Sequence, residues 1–319
     1  DGDESLRRRP MGRVADPLRA MGASIWTAPG GTPPLAVSGG EPLDGQTHEL
    51  AVASAQVKSC LLLAGLVANG VTRVIEPGPS RDHTERMLEA AGADVRRHDD
   101  GAEVAGPVES IQLPDMEIPG DPSSAAPLAV AAALLADPDV RLTGVALNPR
   151  RTGFFEVMTR MGVDIEMHQT GEVAGEPVGD LVVRRGSGLS ATEVGGLEVP
   201  TLIDELPLVA LLGALAKGTT RVTGAAELRV KESDRIATVA GALRSLGVLV
   251  DEDPDGFSVR GSGRIPGGRM DAAGDHRIAM LGAIAGLLSE DGVAVGGFES
   301  VGVSYPGFAA DLVALGVEA

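Results

Sequence analysis

One short pattern recurs along this chain. A helix-compatible stretch ends in a hydrophobe and a glycine, and a short apolar strand follows. The copies are Ala20-Met-Gly22-Ala-Ser-Ile, Ala90-Ala-Gly92-Ala-Asp-Val, Arg160-Met-Gly162-Val-Asp-Ile, Ser245-Leu-Gly247-Val-Leu-Val and Ala314-Leu-Gly316-Val. Successive glycines lie 70, 70, 85 and 69 residues apart. Glycine just past a helix accepts the left-handed conformation that ends it, and the apolar residues beyond start a strand. A second marker falls between the glycines: an Ala/Leu-rich helix that closes on Gly or Asp-Pro before a strand. It is predicted at 61–70 with a strand at 71–75, 128–137 with 140–143, 208–218 with 219–223, and 278–292 with 293–295. Each unit therefore reads helix, strand, loop, helix, glycine turn, strand. Such a unit cannot bury both faces of its helices alone, so several must pack around a shared core.

Strands in every unit argue against a helical solenoid. The missing G-x-G-x-x-G after a strand argues against a doubly wound nucleotide fold. The class expected is α/β (α+β by some schemes). About four and a half units are present, and six would need roughly 420 residues. With no Met at position 1, the chain is expected to begin inside a longer protein. A domain boundary is expected near 112–120, where Ile111-Gln-Leu-Pro resembles a strand end and Ile118-Pro-Gly-Asp-Pro is turn-rich. The stretch 101–107 reads instead as a hairpin.

Aromatic residues are 2 % of the chain, so the core must be Ala, Val, Leu and Ile. A net charge of −18 excludes a nucleic-acid or anionic-membrane surface, both of which need a basic patch. It does not exclude an anionic substrate, which needs only a few local cations. The single cysteine, Cys60, precedes an apolar run and reads as a core thiol. No apolar stretch reaches the ~18 residues of a membrane span, and residues 1–10 lack the apolar centre of a signal peptide.

The polar residues that interrupt the Ala/Leu pattern fall in two places. One is the start of each core helix: Ser54-Ala-Gln56, Asp121-Pro-Ser-Ser124, Asp204-Glu205 and Asp275-His-Arg277. The other is the loop after the next strand: Ser80-Arg81-Asp-His83, Asn148-Pro-Arg150-Arg151 and Lys231-Glu232-Ser-Asp-Arg235. Asp121, Ser123, Ser124 and Asp275 read first as N-caps. Repetition would turn equivalent helix ends into one crevice, where Arg81, Lys231, Arg235 and Arg277 form an anion trap. The run at 227–235 puts six charged residues into nine between a strand and a helix. Asp204 stands in an otherwise apolar context, where a neighbouring Lys would keep it ionised as a general base. His276, beside Arg277, is a poor base. There is no convincing metal spacing, no G-x-S-x-G and no Walker sequence.

Eight segments in order make the chain resemble the enolpyruvyl transferases, and among them the branch acting on shikimate 3-phosphate. They lie at 2–11, 54–59 (Ser-Ala-Gln-Val-Lys-Ser), 79–84 (Pro-Ser-Arg-Asp-His-Thr), 120–125, 203–207 (Ile-Asp-Glu-Leu-Pro), 227–235, 274–280 (Gly-Asp-His-Arg-Ile-Ala-Met) and 304–308. The resemblance implies two similar domains built from repeated βαβαββ units. Residues 1–118 would be part of the first domain, on the shikimate-phosphate side. Residues 119–319 would be the second, with the catalytic Asp and the phosphoenolpyruvate-binding Arg residues. It implies transfer of the enolpyruvyl group of phosphoenolpyruvate to the 5-hydroxyl of shikimate 3-phosphate, by a cytoplasmic monomer needing no metal or organic cofactor.

By the same resemblance Ser54, Ala55, Gln56, Ser80 and Arg81 hold shikimate 3-phosphate, together with Asp204 and Lys231. Gln56, Arg235 and Arg277 hold phosphoenolpyruvate. Asp204 takes the hydroxyl proton, Lys231 sits beside that hydroxyl, and Glu232 handles a proton at the methylene carbon. Two departures stand out: the family's Pro-Gly-Ser-Lys-Ser and Asn-Ala-Gly-Thr segments do not occur, and Val303 stands where many members carry a lysine. Little turnover is therefore expected of residues 1–319 alone. The alternatives are the sibling transferase acting on UDP-N-acetylglucosamine and a fold retained only for ligand binding.

Overall fold

A computed structural model of the chain describes residues 1–2, 4–135, 139–186 and 188–316. The expected turn at Asp137-Pro138 and the strand start at Val317 lie outside the described residues, as does Asp3 of the first matching segment. The chain divides into two compact units, residues 1–117 with 172–176, and residues 118–171 with 177–319.

All five repeat glycines close helices in the left-handed region, with φ of 106°, 86°, 101°, 84° and 78° at Gly22, Gly92, Gly162, Gly247 and Gly316. The helices they end are Gly12–Ala20, His83–Ala90, Gly153–Arg160, Arg235–Ser245 and Phe308–Ala314. The second marker is met by four core helices, Ala55–Gly65, Pro122–Leu135, Leu206–Leu215 and His276–Leu288. Each is followed by a strand: Ala68–Ile75, Val140–Ala146, Gly218–Val222 and Val293–Gly296. The first core helix ends earlier than the sequence suggested. Gly70 lies inside the strand: the helix ends at Gly65, where a side chain would strike Thr72 and Val104, and the chain turns just after it. Gly213 meets Thr220 in the same way two repeats later. These close approaches are why an Ala/Gly-rich helix can lie flat on its sheet.

Strand order repeats with the helices. In unit 1, Thr47–Glu49 runs parallel to Ala68–Ile75, which pairs antiparallel with Gly101–Gly106 and through it with Val95–His98. In unit 2, Glu193–Val194 runs parallel to Gly218–Val222, which pairs with Gly256–Gly261 and then Leu249–Asp253. Between these, a parallel bridge from Gly120 to Val145 leads a sheet ordered Val140–Ala146, Glu176–Arg184, Asp164–Val173. Among the described residues a βαβαββ unit with strands ordered first, second, fourth, third thus occurs three times. A fourth begins with the parallel pair Gly268–Asp271 and Val293–Gly296. Residues 111–119 form no strand, contrary to the reading of Ile111-Gln-Leu-Pro as a strand end.

In unit 2 the helices Pro122–Leu135, Leu206–Leu215 and His276–Leu288 pack on one another. Leu206–Leu215 is buried on all sides, from Leu206 through Ala214, so it shows no polar face. The charged residues of its own segment, Asp204 and Glu205, therefore stand at its N-terminal end. Cys60 is half-buried rather than fully enclosed, and burial pushes its thiol pKa up.

Candidate active site

The polar residues of unit 2 gather where its three core helices begin. Asp204 lies in the single 3₁₀ turn Ile203–Glu205 before Leu206–Leu215. Lys231, Glu232 and Arg235 come from the charged run, whose final helix is capped by Asp234 accepting from the Ala237 amide at 3.1 Å. Asp275 and Arg277 open the helix His276–Leu288.

Asp204 is the hub. Its Oδ1 is 3.2 Å from Arg235 Nη1 and 3.7 Å from Lys231 Nζ, and its Oδ2 is 3.7 Å from Arg277 Nη2. Residues separated by up to 73 positions thus converge on one carboxylate. Arg235 is 1 % exposed and is held by three carboxylates. Its Nε donates to Asp275 Oδ2 at 2.8 Å, its Nη2 to Glu232 Oε2 at 2.6 Å, and its Nη1 to Asp204. As observed, Arg235 organises the carboxylates. In place of the anion trap expected from sequence stands an ion-pair lattice, in which Lys231, Arg235 and Arg277 each already face a carboxylate. A substrate anion here competes with carboxylates.

Asp121 and Asp275 do cap their helices: Ser124 N donates to Asp121 at 3.1 Å and Arg277 N to Asp275 at 3.0 Å. Asp275 also accepts from Ser233 Oγ at 3.0 Å. Ser123 does something else. Its hydroxyl donates to Glu205 Oε1 at 2.5 Å and accepts from Arg151 Nη2 at 2.9 Å. Arg277 Nη1 approaches the same Glu205 oxygen at 3.4 Å. Ser123, Arg151 and Glu205 therefore join the cluster, although sequence reading gave them no catalytic part. The signal was present: polar side chains stand at the start of each of the three core helices of unit 2, and there they serve one locus.

Burial pushes the Asp275 carboxyl up, but the charge and hydrogen bonds of Arg235 outweigh it and hold the group below its ordinary value. Glu205 goes the other way: burial raises it and Asp204 adds to the rise, against the pull of Arg277. Burial and the adjacent Arg277 lower the His276 imidazole. A Glu205 value above the unfolded ~4.3 means that the folded state binds the extra proton between those two values, so this group's contribution to stability falls as pH rises through that window. Glu205→Gln removes the effect. Thermal unfolding across pH 4.5–7.5 should show the variant gaining on wild type as pH rises; a constant difference would refute it.

In unit 1, Ser54 caps the helix Ala55–Gly65 by accepting from Val57 N at 3.5 Å, with Ala55 and exposed Gln56 in its first turn. Ser80 is buried and Arg81 half-buried in the loop before His83–Ala90. Ser59 Oγ to Thr84 Oγ1, at 2.6 Å, ties that helix to the first. Val303 is 86 % exposed. Among the described residues no group of three or more His, Cys, Asp or Glu could hold a metal ion, and no helix is long and apolar enough to cross a membrane.

A family model described as EPSP synthase (3-phosphoshikimate 1-carboxyvinyltransferase) matches residues 1–312. A protein of Synechococcus sp. (strain JA-3-3Ab) named 3-phosphoshikimate 1-carboxyvinyltransferase is 48 % identical over 310 residues, covering 96 % of this chain and 69 % of that protein. One of the same name from Xanthomonas campestris pv. campestris (strain B100) is 50 % identical over 307 residues, with the same coverage. Among solved structures, EPSP synthase from Acinetobacter baumannii superposes with a TM-score of 0.88 at 41 % identity, over 99 % of this chain and 73 % of that one. The enolpyruvyl transferase NikO from Streptomyces tendae, at 21 % identity and a TM-score of 0.79 over 98 % of this chain and 72 % of that one, shares the fold.

Proposed function

The chain belongs to the EPSP synthase family, and we propose that Asp204, Lys231 and Glu232 carry out that family's reaction in it. The reaction transfers the enolpyruvyl group of phosphoenolpyruvate to the 5-hydroxyl of shikimate 3-phosphate and releases phosphate, a step of the shikimate pathway. The relatives that cover 96 % of the chain carry the shikimate name, which disfavours UDP-N-acetylglucosamine as acceptor.

The observation that carries the assignment of roles is Asp204 at the meeting point of three cations. Asp204 accepts the 5-hydroxyl proton as the oxygen attacks C2 of phosphoenolpyruvate. Glu232 supplies a proton to C3, giving a tetrahedral intermediate. Return of that proton expels phosphate and restores the double bond. Lys231, 3.7 Å from Asp204, stabilises negative charge at the hydroxyl oxygen. Arg277 and the Nη1 edge of Arg235 take the phosphoenolpyruvate anion, exchanging carboxylate contacts for substrate ones. In unit 1, Ser54, Ala55, Gln56, Ser80 and Arg81 contact shikimate 3-phosphate, and Gln56 also reaches phosphoenolpyruvate. On this reading the protein works in the cytoplasm as a monomer, on small-molecule substrates alone.

The test is calorimetric titration with shikimate 3-phosphate. Lys231→Ala removes a charge-assisted contact worth ~1.5–3 kcal/mol, so Kd should rise about tenfold to a hundredfold. Unchanged affinity in the variant would remove Lys231 from the site. Absence of any heat with the unaltered protein would remove the ligand.

A further inference from the structure

The reaction as assigned makes no use of Lys58, yet the residue is a buried charge held by two buried carboxylates. The residue lies on the helix Ala55–Gly65, one turn beyond Ser54, and is 1 % exposed. Its ammonium sits between two glutamates, 2.7 Å from Glu76 Oε2 and 2.8 Å from Glu85 Oε1. Both glutamate side chains are 2 % exposed. Two carboxylates share one ammonium, and among the described residues Glu76 Oε1 and Glu85 Oε2 are buried without a hydrogen-bond donor. An apolar contact of the same volume would join these elements at lower cost, because burying charge carries a desolvation penalty that Coulomb attraction only partly returns.

What the ion cluster supplies is direction. Glu76 directly follows the strand Ala68–Ile75, and Glu85 lies in the first turn of the helix His83–Ala90. They bracket residues 77–84, the segment that carries Ser80 and Arg81. One ammonium therefore holds both ends of this loop against the helix whose first turn carries Gln56. The Ser59–Thr84 hydrogen bond braces the same junction. Charge-assisted hydrogen bonds fix geometry more tightly than apolar contacts.

We propose that Lys58 is a positioning residue for shikimate 3-phosphate: by gripping Glu76 and Glu85 it sets the Ser80–Arg81 loop so that it and the Ser54–Gln56 turn engage the same ligand. This rests on the reading of those five residues as shikimate 3-phosphate contacts. Loss of the grip should weaken the ligand through its phosphate, leaving the sugar-acid ring less affected.

The experiment compares binding of shikimate 3-phosphate and of shikimate by calorimetry. The triple variant Lys58→Met/Glu76→Gln/Glu85→Gln removes the charges together and leaves no lone buried ion. It should keep a cooperative unfolding transition, while its Kd for shikimate 3-phosphate rises about tenfold or more and its preference over shikimate shrinks in proportion. A role in stability alone would lower Tm and leave that preference intact. If the triple variant does not fold, Glu76→Gln and Glu85→Gln tested singly each keep one ion pair, and each should lose about threefold in affinity. Wild-type preference in the folded triple variant, or in both single variants, overturns the proposal. Gln56→Ala is the control: unchanged affinity there would overturn the site reading beneath it, whereas a loss there with intact preference in the Lys58 variants would overturn the grip alone.

Discussion

Asp204→Asn should abolish most of the chemistry while leaving binding intact. Asparagine keeps the shape and one acceptor oxygen but cannot take the 5-hydroxyl proton. A positioned general base contributes about 10²–10⁴ in rate, and single-turnover phosphate release with protein in excess should fall by that factor. Affinity for phosphoenolpyruvate should hold or improve, because four carboxylates (Asp204, Glu205, Glu232 and Asp275) now surround Lys231, Arg235 and Arg277, and the substitution removes one competitor for the cations. That split separates a base from a residue that merely positions the cations, whose loss would weaken binding too. A variant within about tenfold of the wild-type rate would remove Asp204 from the role of base.

Arg235→Met should be the most destabilising of the substitutions in unit 2. The guanidinium is 1 % exposed and Asp275 is fully buried, so removing the cation leaves a buried carboxylate without its principal partner. Breaking a buried pair in this way costs about 3–5 kcal/mol. For a unit of this size that is a drop of roughly 10 °C in Tm. The pH dependence follows from Asp275. Its folded pKa lies below the unfolded ~3.9, so the stability it contributes is fully present above that value and is lost as pH falls through the lowered folded value. In the variant the pull of Arg235 is gone, and only the hydrogen bonds from Ser233 and the Arg277 amide still oppose burial, which favours the protonated form. The stability gap between wild type and variant should therefore be full at neutral pH and should narrow as pH falls below about 4. A gap that stays constant with pH would show that the lost packing of the arginine stem, rather than the ion pair, sets the cost.

Asp275 also shows why helix-start residues are hard to interpret from sequence. Sequence reading made it an N-cap, and it is one, yet it also holds Arg235 from forty positions away. The capping part depends on residues within one turn and was legible. The ion pair depends on two helices packing together and was not. Ser123 is the reverse case: read as a cap, it instead joins Arg151 to Glu205. Asp234, which does cap, was hidden inside a run read only for its charge.

The repeat itself was legible because it is written in local rules. A glycine must follow the helix to reach positive φ, and an all-apolar helix must be buried whatever surrounds it. These conditions act between neighbouring residues, so the order of helices and strands and the repeat length could be read in advance. The family resemblance likewise rested on contiguous motifs. Tertiary structure alone decided how charge is balanced. Coulomb interaction depends on separation in space and on exclusion of water, and neither is encoded in spacing along the chain. That is why an expected set of waiting cations proved to be an interlocked group of acids and bases, and why Lys58, unassigned when only its neighbours in sequence were visible, emerged between two glutamates.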